Sequence, residues 1–292
     1  MPDLALLGHL LREAVSRSRP ERIPEPELLM DEAAQVAAFA RAGRENGPIA
    51  QIYLLHSLQL CGLIAPGDHV LDLACGPANQ LGQIARLNPD AHFTGIDLAP
   101  RMLDDARTTL RLQGVTNVVL HQDDMTLLER IPDASQDLVM STFSLHHLPN
   151  EAALGQCFRA IRRVLKPGGR VFLSDFGALR RESTRHFMAH RFAAEQGELF
   201  TRDYHHSLCA AFPVATLRTA LPALGPGVRL IASPLAPFMV FLRSPAKHRL
   251  SVSTRSGLNA IYSALPQVQR RDLDELRMCF RLRALFIPST RR

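Results

Sequence analysis

The chain has 292 residues, of which 46% are hydrophobic and 21% are charged, so its composition is that of a globular protein and excludes disorder for most of its length. This length suits one large domain with extensions better than two full independent domains. Tryptophan is absent, which excludes a nucleic-acid or sugar site built on tryptophan rings.

The net charge of +6 is distributed unevenly along the chain. Residues 243–292 hold 11 Lys and Arg against 3 Asp and Glu, a net charge of +8, which leaves 23 against 25, or −2, for the other residues. The basic C-terminal segment therefore either presents a solvated helix face or meets an anionic partner.

The amino terminus lacks a basic stretch followed by an apolar one, and no apolar run approaches the ~20 residues that span a bilayer. We therefore expect a cytosolic protein without a membrane partner. Five cysteines, at positions 61, 75, 157, 209 and 279, show no CxxC spacing. They are expected to be reduced thiols rather than a disulfide framework or a zinc ribbon.

Residues 1–66 are predicted to form a helical N-terminal extension. A Pro-rich linker at 19–26 separates the first helix from a second over 33–42 and a third over 49–60. The first helix carries an apolar stripe at helical spacing, made of Leu4, Leu7, Leu11 and Val15. We expect this stripe to pack over the mouth of a substrate site.

From residue 67 onwards, short apolar runs alternate with helical stretches at 79–87, 100–113 and 150–165. The runs are 70–73, 93–97, 118–120, 138–141 and 171–174. This alternation predicts a parallel sheet that is covered by helices on both faces. Two later runs, at 228–232 and 238–242, predict a hairpin-like end to the sheet.

The remaining sequence predicts helices at 181–198, 213–221, 250–265 and 272–287. Asp272 and Glu275 have the spacing of a capping box at the start of the last one. The predicted organisation is a helical lid over 1–66, a domain over 67–243 with a substrate-side insertion at about 181–225, and a basic helical tail over 244–292.

The strongest feature for chemistry is the segment Val70–Asn79, where a strand runs into a turn of small residues and then a helix. Small residues let backbone amides approach a ligand, and the helix adds a positive end. Only Gly76 is a glycine, so the GxGxxG pattern of dinucleotide sites is absent. Asp97 ends the next strand, 25 residues after Asp72, where a carboxylate can accept ribose hydroxyls.

Two further segments complete the pattern, Leu145–Leu148 (LHHL) after the fourth strand and Leu165–Gly169 (LKPGG) before the fifth. Over roughly 66–180 the sequence resembles class I S-adenosylmethionine-dependent methyltransferases of the small-molecule type. The resemblance implies an α/β fold, a Rossmann-like seven-stranded, mostly parallel sheet with helices on both faces. It also implies S-adenosylmethionine as cofactor and S-adenosylhomocysteine as product. Ala74 and Ala78 depart from the family, since many members carry Gly there.

The resemblance also assigns roles to individual residues. It implies Asp72, Ala74 and Gly76 at the methionine end of the cofactor, Asp97 at the ribose, Leu98, Met102, Asp124 and Met125 at the adenine, and Ser141 and Phe143 near the sulfonium. Three alternatives stay open: Asp72 as a turn cap, Met102 as helix core, and Asp123 in place of Asp124.

The chemistry expected is direct displacement at an activated methyl group, for which the protein supplies alignment and exclusion of water. A general base is needed only if the acceptor loses a proton. The candidates are His147, Tyr204, His205 and His206. No metal site is expected, because the adjacent pairs His146–His147 and His205–His206 point in different directions and no HExxH motif accompanies them.

The expected function is methyl transfer to an O, N or C nucleophile of a small-molecule methyl acceptor, in secondary or specialised metabolism. The alternative is a peptide, protein or RNA substrate docked by the basic tail, although nucleic acid is not the favoured partner. A non-catalytic binding protein that kept the fold is the third reading. A homodimer stays open.

Overall fold

The computed structural model describes residues 4–18, 20–26, 47–246 and 248–281. The predicted helix over 33–42 lies outside the described residues, and so does the end of the predicted tail helix beyond residue 281.

A central sheet organises the described part of the chain. Its seven strands are β1 His69–Leu73, β2 His92–Asp97, β3 Val118–Gln122, β4 Gln136–Thr142, β5 Leu165–Phe176, β6 Arg229–Ser233 and β7 Ala236–Arg243. Their order is β3-β2-β1-β4-β5-β7-β6, with β1 to β5 parallel and β7 antiparallel to both of its neighbours. This confirms the predicted Rossmann-like, mostly parallel sheet with a terminal hairpin. The LKPGG segment, expected as a turn, is the first part of β5 beside a register shift.

Helices cover both faces of the sheet. They are α1 Leu4–Val15, α2 Ala50–Leu60, α3 Asn79–Leu87, α4 Pro100–Leu112, α5 Glu151–Val164, α6 Glu182–His190, α7 Ala193–Gln196, α8 Glu198–Ala210, α9 Val214–Ala220, α10 Val252–Ala264 and α11 Gln267–Arg281. Short 3-10 helices lie at Leu145–His147 and Leu221–Leu224.

Alternate residues of the inner strands pack into two separate cores. Val70 of β1 lies in the core under α2 and α3, whereas Leu71 and Leu73 lie in the core under α5. β4 shows the same division, with Leu138 in the first core and Val139 in the second. A strand that is buried on both faces needs apolar residues at every position, which explains the short unbroken runs in the sequence.

The last helix of the N-terminal extension, α2, packs into the first core. Leu54, Leu55 and Leu58 of α2 are fully buried in the first core, so this helix belongs to the body of the domain. A helix that is apolar on most of its surface is stable only when neighbours surround it.

The predicted packing face of α1 was wrong. Leu4 and Val15 are 69% and 80% exposed, and Leu7 and Leu11 are exposed as well. The helix is held instead through Glu13, which is buried and accepts hydrogen bonds from the backbone N–H groups of Arg180 (2.7 Å) and Arg181 (2.9 Å), just before α6. A carboxylate at a helix N-terminus is stabilised by the free N–H groups there, and this contact decides which face of α1 turns inward.

The segment after β5 contains two helices more than predicted, α7 and α8. The expected helix over 181–198 ends at His190, and the chain passes through α7 to Gly197, whose φ of 82° lies in the left-handed region. The helix α8 then begins at Glu198. Tyr204, His205 and His206 therefore lie on a helix rather than in a substrate loop.

The C-terminal tail docks on the body. Leu273 and Phe280 are fully buried, and the Phe280 ring meets Phe241 edge-on with 5.0 Å between centroids. The predicted capping box was wrong, because α11 begins at Gln267. Arg277, expected on the solvated face, is 6% exposed and bonds Asp274 Oδ1 at 3.1 Å, since it lies one turn from Leu273 on the docked face.

Within the described ranges, no single helix is long and apolar enough to cross a membrane. Only the pair Glu198–Ala210 and Val214–Leu224 reaches that length, across a bend of 61°.

Candidate active site

A cavity of about 320 Å³ opens at the carboxyl ends of β1, β2 and β4. We call it the first cavity. The strand order reverses between β1 and β4, and such a crevice is where open α/β sheets bind ligands. Nine of the ten predicted cofactor residues line it: Asp72, Ala74, Gly76, Asp97, Leu98, Met102, Asp124, Met125 and Phe143. The tenth, Ser141, does not line it, because its buried hydroxyl donates to the Leu73 carbonyl oxygen at 2.7 Å.

The turn after β1 is held in an unusual backbone conformation. Ala74, Gly76 and Ala78 have φ values of 51°, 53° and 59°, all in the left-handed region. For each alanine this conformation costs about 1 kcal/mol, and such strain is typical of ligand-binding turns. The following helix α3 starts without a side-chain cap, and the positive end of its dipole favours an anionic group of a ligand.

Asp97 anchors this turn. Its Oδ2 accepts the Gly76 N–H at 2.8 Å and its Oδ1 accepts the Ala99 N–H at 2.9 Å. Burial raises the pKa of Asp97, although these two hydrogen bonds oppose the shift. The carboxylate therefore shapes the turn and also faces the first cavity.

Asp72 is a second buried carboxyl group in the same cavity. It is 4% exposed, and burial, with the nearby charge of Asp97, raises its pKa well above its ordinary value. None of the described residues that line the first cavity is Lys or Arg. Two buried carboxylates without a cationic partner suit a ligand that itself carries positive charge.

Two further residues of this cavity were missed by the sequence reasoning. Tyr53 comes from α2, and Gln80 comes from the first turn of α3. Gln80 is buried, and its Nε2 donates to Ser57 Oγ at 3.1 Å and to the Tyr53 carbonyl oxygen at 3.3 Å, so it ties α2 to the start of α3. The spacing of apolar residues in α2 could have indicated that this helix is buried. It could not have indicated that Tyr53 lines the same cavity as Asp72 of β1.

The two carboxylates after β3 have different surroundings. Asp123 accepts three backbone N–H groups, those of Asp124 (2.8 Å), Glu129 (3.2 Å) and Arg130 (2.9 Å). Asp124 is half-buried, and its Oδ1 accepts only the Thr126 N–H, at 2.7 Å. Both line the cavity, but the oxygens of Asp124 have more capacity left for a ligand.

A second cavity of about 280 Å³ adjoins the first. Its wall is mainly aromatic and aliphatic, with six aromatic rings from Phe143, Phe176, Phe192, Phe200, Tyr204 and Phe238. Leu6 and Leu10 of α1 close one side. The helix α1 therefore borders this cavity as expected, although through a different face from the predicted stripe.

Phe143 and His147 line both cavities and so form the boundary between them. Phe143 has a φ of 56°, an unusual conformation for an aromatic residue, and its ring stacks on Phe176 with 4.7 Å between centroids. Backbone strain at the meeting point of two cavities is characteristic of functional sites.

His147 is paired with Glu25, a residue the sequence reasoning left in a linker. The distance from His147 Nδ1 to Glu25 Oε2 is 2.5 Å, and Ser207 Oγ donates to Glu25 Oε1 at 2.7 Å. Burial favours the neutral acid, but the hydrogen bond and charge of His147, with His146 and Ser207, lower the pKa of Glu25 to about 2. An ionised Glu25 fixes the proton on His147 Nδ1 and leaves Nε2 as an acceptor.

The neighbouring His146 holds this segment in place. Its Nδ1 lies 2.7 Å from Asp175 Oδ1, and its backbone N–H donates to Asp175 Oδ2 at 2.8 Å. Burial opposes the charged imidazolium, but Asp175 and Glu25 together raise the pKa of His146. Arg22 fastens the strand of chain that carries Glu25 by donating to the carbonyl oxygens of His146 (2.9 Å), Leu148 (2.5 Å), Pro149 (2.8 Å) and Ala210 (2.7 Å).

The other predicted bases are placed differently. Tyr204 lines the second cavity, and burial raises its pKa to about 12, so it stays protonated near neutral pH. His205 turns away from both cavities, and its Nε2 lies 3.1 Å from Glu182 Oε1. His206 borders neither cavity. The helix α8, unseen in the sequence, explains this separation, because consecutive helical residues point about 100° apart.

Comparisons with known proteins agree with this fold. Residues 70–169 match the family model described as "Methyltransferase domain". The chain is 34% identical over 110 residues to 27-O-demethylrifamycin SV methyltransferase of Amycolatopsis mediterranei, covering 38% of this chain and 39% of the relative. It is 34% identical over 114 residues to demethylmenaquinone methyltransferase of Listeria welshimeri, covering 38% and 46%. The chain thus spans less than half the length of these curated relatives.

Among solved structures, an O-methyltransferase family protein from Burkholderia thailandensis superposes with a TM-score of 0.54 at 15% identity, covering 84% of this chain and 69% of that one. A SAM-dependent methyltransferase from Aquifex aeolicus superposes with a TM-score of 0.52 at 16% identity, covering 74% and 99%. At such identities the likeness shows the fold. Residues 70–169 therefore match a methyltransferase-domain model, and the described part of the chain has the fold of these solved methyltransferases.

Proposed function

We propose that this chain is a class I methyltransferase and transfers a methyl group from S-adenosylmethionine to a small, largely apolar acceptor. The observation that carries the proposal is the meeting of two unlike cavities, one anionic and one aromatic, at Phe143 and His147. The family match over 70–169 supports the same reaction.

The chemistry of the first cavity fits this cofactor. Asp72 and Asp97 are buried carboxylates with raised pKa values and no Lys or Arg beside them in the cavity wall. A ligand with a sulfonium and an ammonium group supplies the missing positive charge. The uncapped start of α3 would receive its carboxylate, and Asp124 with Met125 would hold its adenine.

When bound, S-adenosylmethionine supplies a methyl group on positively charged sulfur, which a nucleophile can take directly. The chain itself then has to align the acceptor and exclude water. Phe143 and Phe176, stacked at the boundary, provide an apolar surface for both tasks.

The second cavity indicates the class of acceptor. Six aromatic rings line it, and charged groups lie at its wall as well: Arg191, Asp203, Arg271, Asp272 and Glu275. Such a lining favours an aromatic or otherwise apolar molecule with few polar groups. The relatives support this class, because they are named for 27-O-demethylrifamycin SV and demethylmenaquinone. The rifamycin relative also favours an oxygen nucleophile and a role in specialised metabolism.

His147 is the base that the geometry supports best. Glu25 orders its Nδ1 proton, so Nε2 can take the proton of an acceptor hydroxyl as the methyl group is transferred. Tyr204 would serve as a hydrogen-bond donor to the acceptor, since its high pKa keeps the hydroxyl proton in place.

A peptide or RNA substrate remains the second reading, and the basic tail is the feature that favours it. Not all of the positive charge of that tail is accessible to a substrate, since Arg277 is buried against the body. The acceptor cavity is also bordered by α1 and α11, which leaves room for a small molecule more readily than for a folded chain.

The test has two parts. Calorimetry with S-adenosylmethionine and S-adenosylhomocysteine should give one binding site per chain for each ligand. Incubation of the protein with the cofactor and a panel of phenols and hydroquinones should then give methylated products by mass spectrometry. Absence of cofactor binding would overturn the proposal, and cofactor binding with methylation only of protein or RNA would overturn the acceptor class.

A further inference from the structure

Three side chains with metal-binding chemistry lie together between α6 and α8, with a fourth, His186, nearby. Glu182 and His186 are four residues apart on α6, and His205 and Cys209 are four residues apart on α8. Residues at this spacing share one face of a helix, so each pair can bind one ion as a chelate. The two pairs lie on helices that contact each other.

The ligand atoms are already close together. A carboxylate oxygen of Glu182, a ring nitrogen of His205 and the sulfur of Cys209 all lie within 4.8 Å of one another. Glu182 Oε1 and His205 Nε2 are separated by 3.1 Å. The His186 ring is next to them, with 6.3 Å between its centroid and that of His205.

We propose that Glu182, His205 and Cys209, completed by His186, form a site for a zinc ion. Thiolate, imidazole and carboxylate together are the ligand set that zinc prefers, whereas magnesium and calcium prefer oxygen alone. Bond lengths of about 2.0 to 2.3 Å place the ligand atoms of a tetrahedral zinc site about 3.5 Å apart. The side chains therefore need only small rotations to close around the ion.

Arg185 lies beside this cluster and has to be accounted for. Its guanidinium is hydrogen-bonded to Cys209 and lies 3.6 Å from Glu182 Oε2. Burial raises the pKa of the Cys209 thiol and the Arg185 guanidinium opposes that shift, so Arg185 can stay in place as an outer partner of the site. Binding of the ion releases the thiol proton of Cys209 to solvent, which makes the affinity rise with pH.

The second cluster of this kind among the described residues is Glu25, His146 and His147. It is the weaker candidate, because its groups already have strong partners in one another, Asp175 and Ser207. It also lacks a sulfur ligand. An ion at α6 and α8 would instead fasten together two helices that line the second cavity through Met188 and Tyr204.

The experiment uses the full chain, stripped of metal with a chelator under reducing conditions. Titration with zinc alone, followed by a competing chromophoric chelator and by elemental analysis, should give one ion per chain. Cobalt in place of zinc should give an intense thiolate-to-metal absorption band. Glu182→Gln, His205→Gln and Cys209→Ser should each weaken zinc binding by about tenfold or more, and Cys209→Ser should abolish the band.

Matched controls separate the site from general effects. His206→Gln changes the neighbouring histidine and Cys279→Ser changes a half-buried cysteine elsewhere, and both should bind zinc as the wild type does. Glu182 is exposed, so Glu182→Gln tests the site even if Cys209→Ser unfolds. No stoichiometric zinc, equal affinity in Glu182→Gln and His205→Gln, or loss of the ion on Glu25→Gln instead would each overturn the proposal.

Discussion

Replacement of Asp97 by Asn tests the first cavity most sharply. The carboxylate accepts the N–H groups of Gly76 (2.8 Å) and Ala99 (2.9 Å), and Asn can offer an oxygen to only one of them. A hydrogen bond to a charged group contributes about 1.5–3 kcal/mol. Loss of one such bond to the turn or to the ribose should raise the Kd of S-adenosylhomocysteine by about tenfold to 150-fold.

Stability should respond much less than binding. Burial penalises the charges of both Asp72 and Asp97, so removal of one charge relieves their repulsion and offsets the weakened turn. The unfolding free energy of Asp97→Asn should therefore stay within about 1 kcal/mol of the wild type.

Calorimetry with S-adenosylhomocysteine and denaturant unfolding measure these two quantities. Asp104→Asn is the matched control, because Asp104 is exposed and pairs only with Arg107 at 2.6 Å among the ion pairs of the described residues. Its affinity should equal that of the wild type. A folded Asp97→Asn protein with unchanged affinity would refute the reasoning, because it would mean that neither the turn nor the ribose depends on this carboxylate.

Three further predictions concern the base, the core and the tail. Glu25→Gln should lower kcat for a hydroxyl acceptor by about tenfold or more, with cofactor Kd unchanged, because His147 loses the carboxylate that orients its ring; an unaltered kcat would contradict this. His56→Leu should reduce the loss of unfolding free energy on acidification. Burial lowers the pKa of His56 to about 3, so protonation of this residue in the unfolded chain, at a pKa near 6.5, destabilises the wild-type fold as pH falls from there towards 3. Denaturant unfolding at pH 7 and pH 5 that shows the same loss of unfolding free energy in the variant and the wild type would exclude this. Arg277→Glu should destabilise the fold by about 3 kcal/mol, whereas the exposed Arg255→Glu should change it by less than about 0.5 kcal/mol, and equal effects in unfolding experiments would show that Arg277 is not docked.

The sheet and the first cavity were predictable because they depend on local sequence. Each inner strand is a short apolar run followed directly by a polar residue or a turn, as at Asp72 and Asp97. In a parallel sheet these ends meet at one edge, so the location of the site follows from the ends of the strands. The sequence could not separate Asp123 from Asp124, because their roles depend on three backbone N–H groups that fold back onto Asp123.

The pairing of Glu25 with His147 could not be predicted, because 122 positions separate the two residues and no pattern links them. The position of His205 could not be predicted for a different reason. The helix α8 carries charged and polar residues on most of its turns, and Gly197 before it resembles the end of a helix rather than a break between two. Without α8, the pairing of His205 and Cys209 with the residues of α6 has no basis in the sequence.

The face of α1 shows that periodicity alone does not decide burial. Its stripe of Leu4, Leu7, Leu11 and Val15 is the most regular apolar pattern at the amino terminus, yet Glu13 on the other side is the residue that docks. The division into lid, domain and tail, the cytosolic location and the homodimer stay predictions.

The most direct measurement is the destination of a labelled methyl group. The full chain is incubated with S-adenosylmethionine labelled in its methyl group and with a cell extract, which is then separated into organic-soluble, protein and RNA fractions. A protein with the two adjoining cavities described above should place the label in the organic-soluble fraction, and Asp97→Asn should reduce that incorporation at limiting cofactor. Label confined to the protein or RNA fraction, or no transfer by a chain that binds the cofactor, would contradict the account.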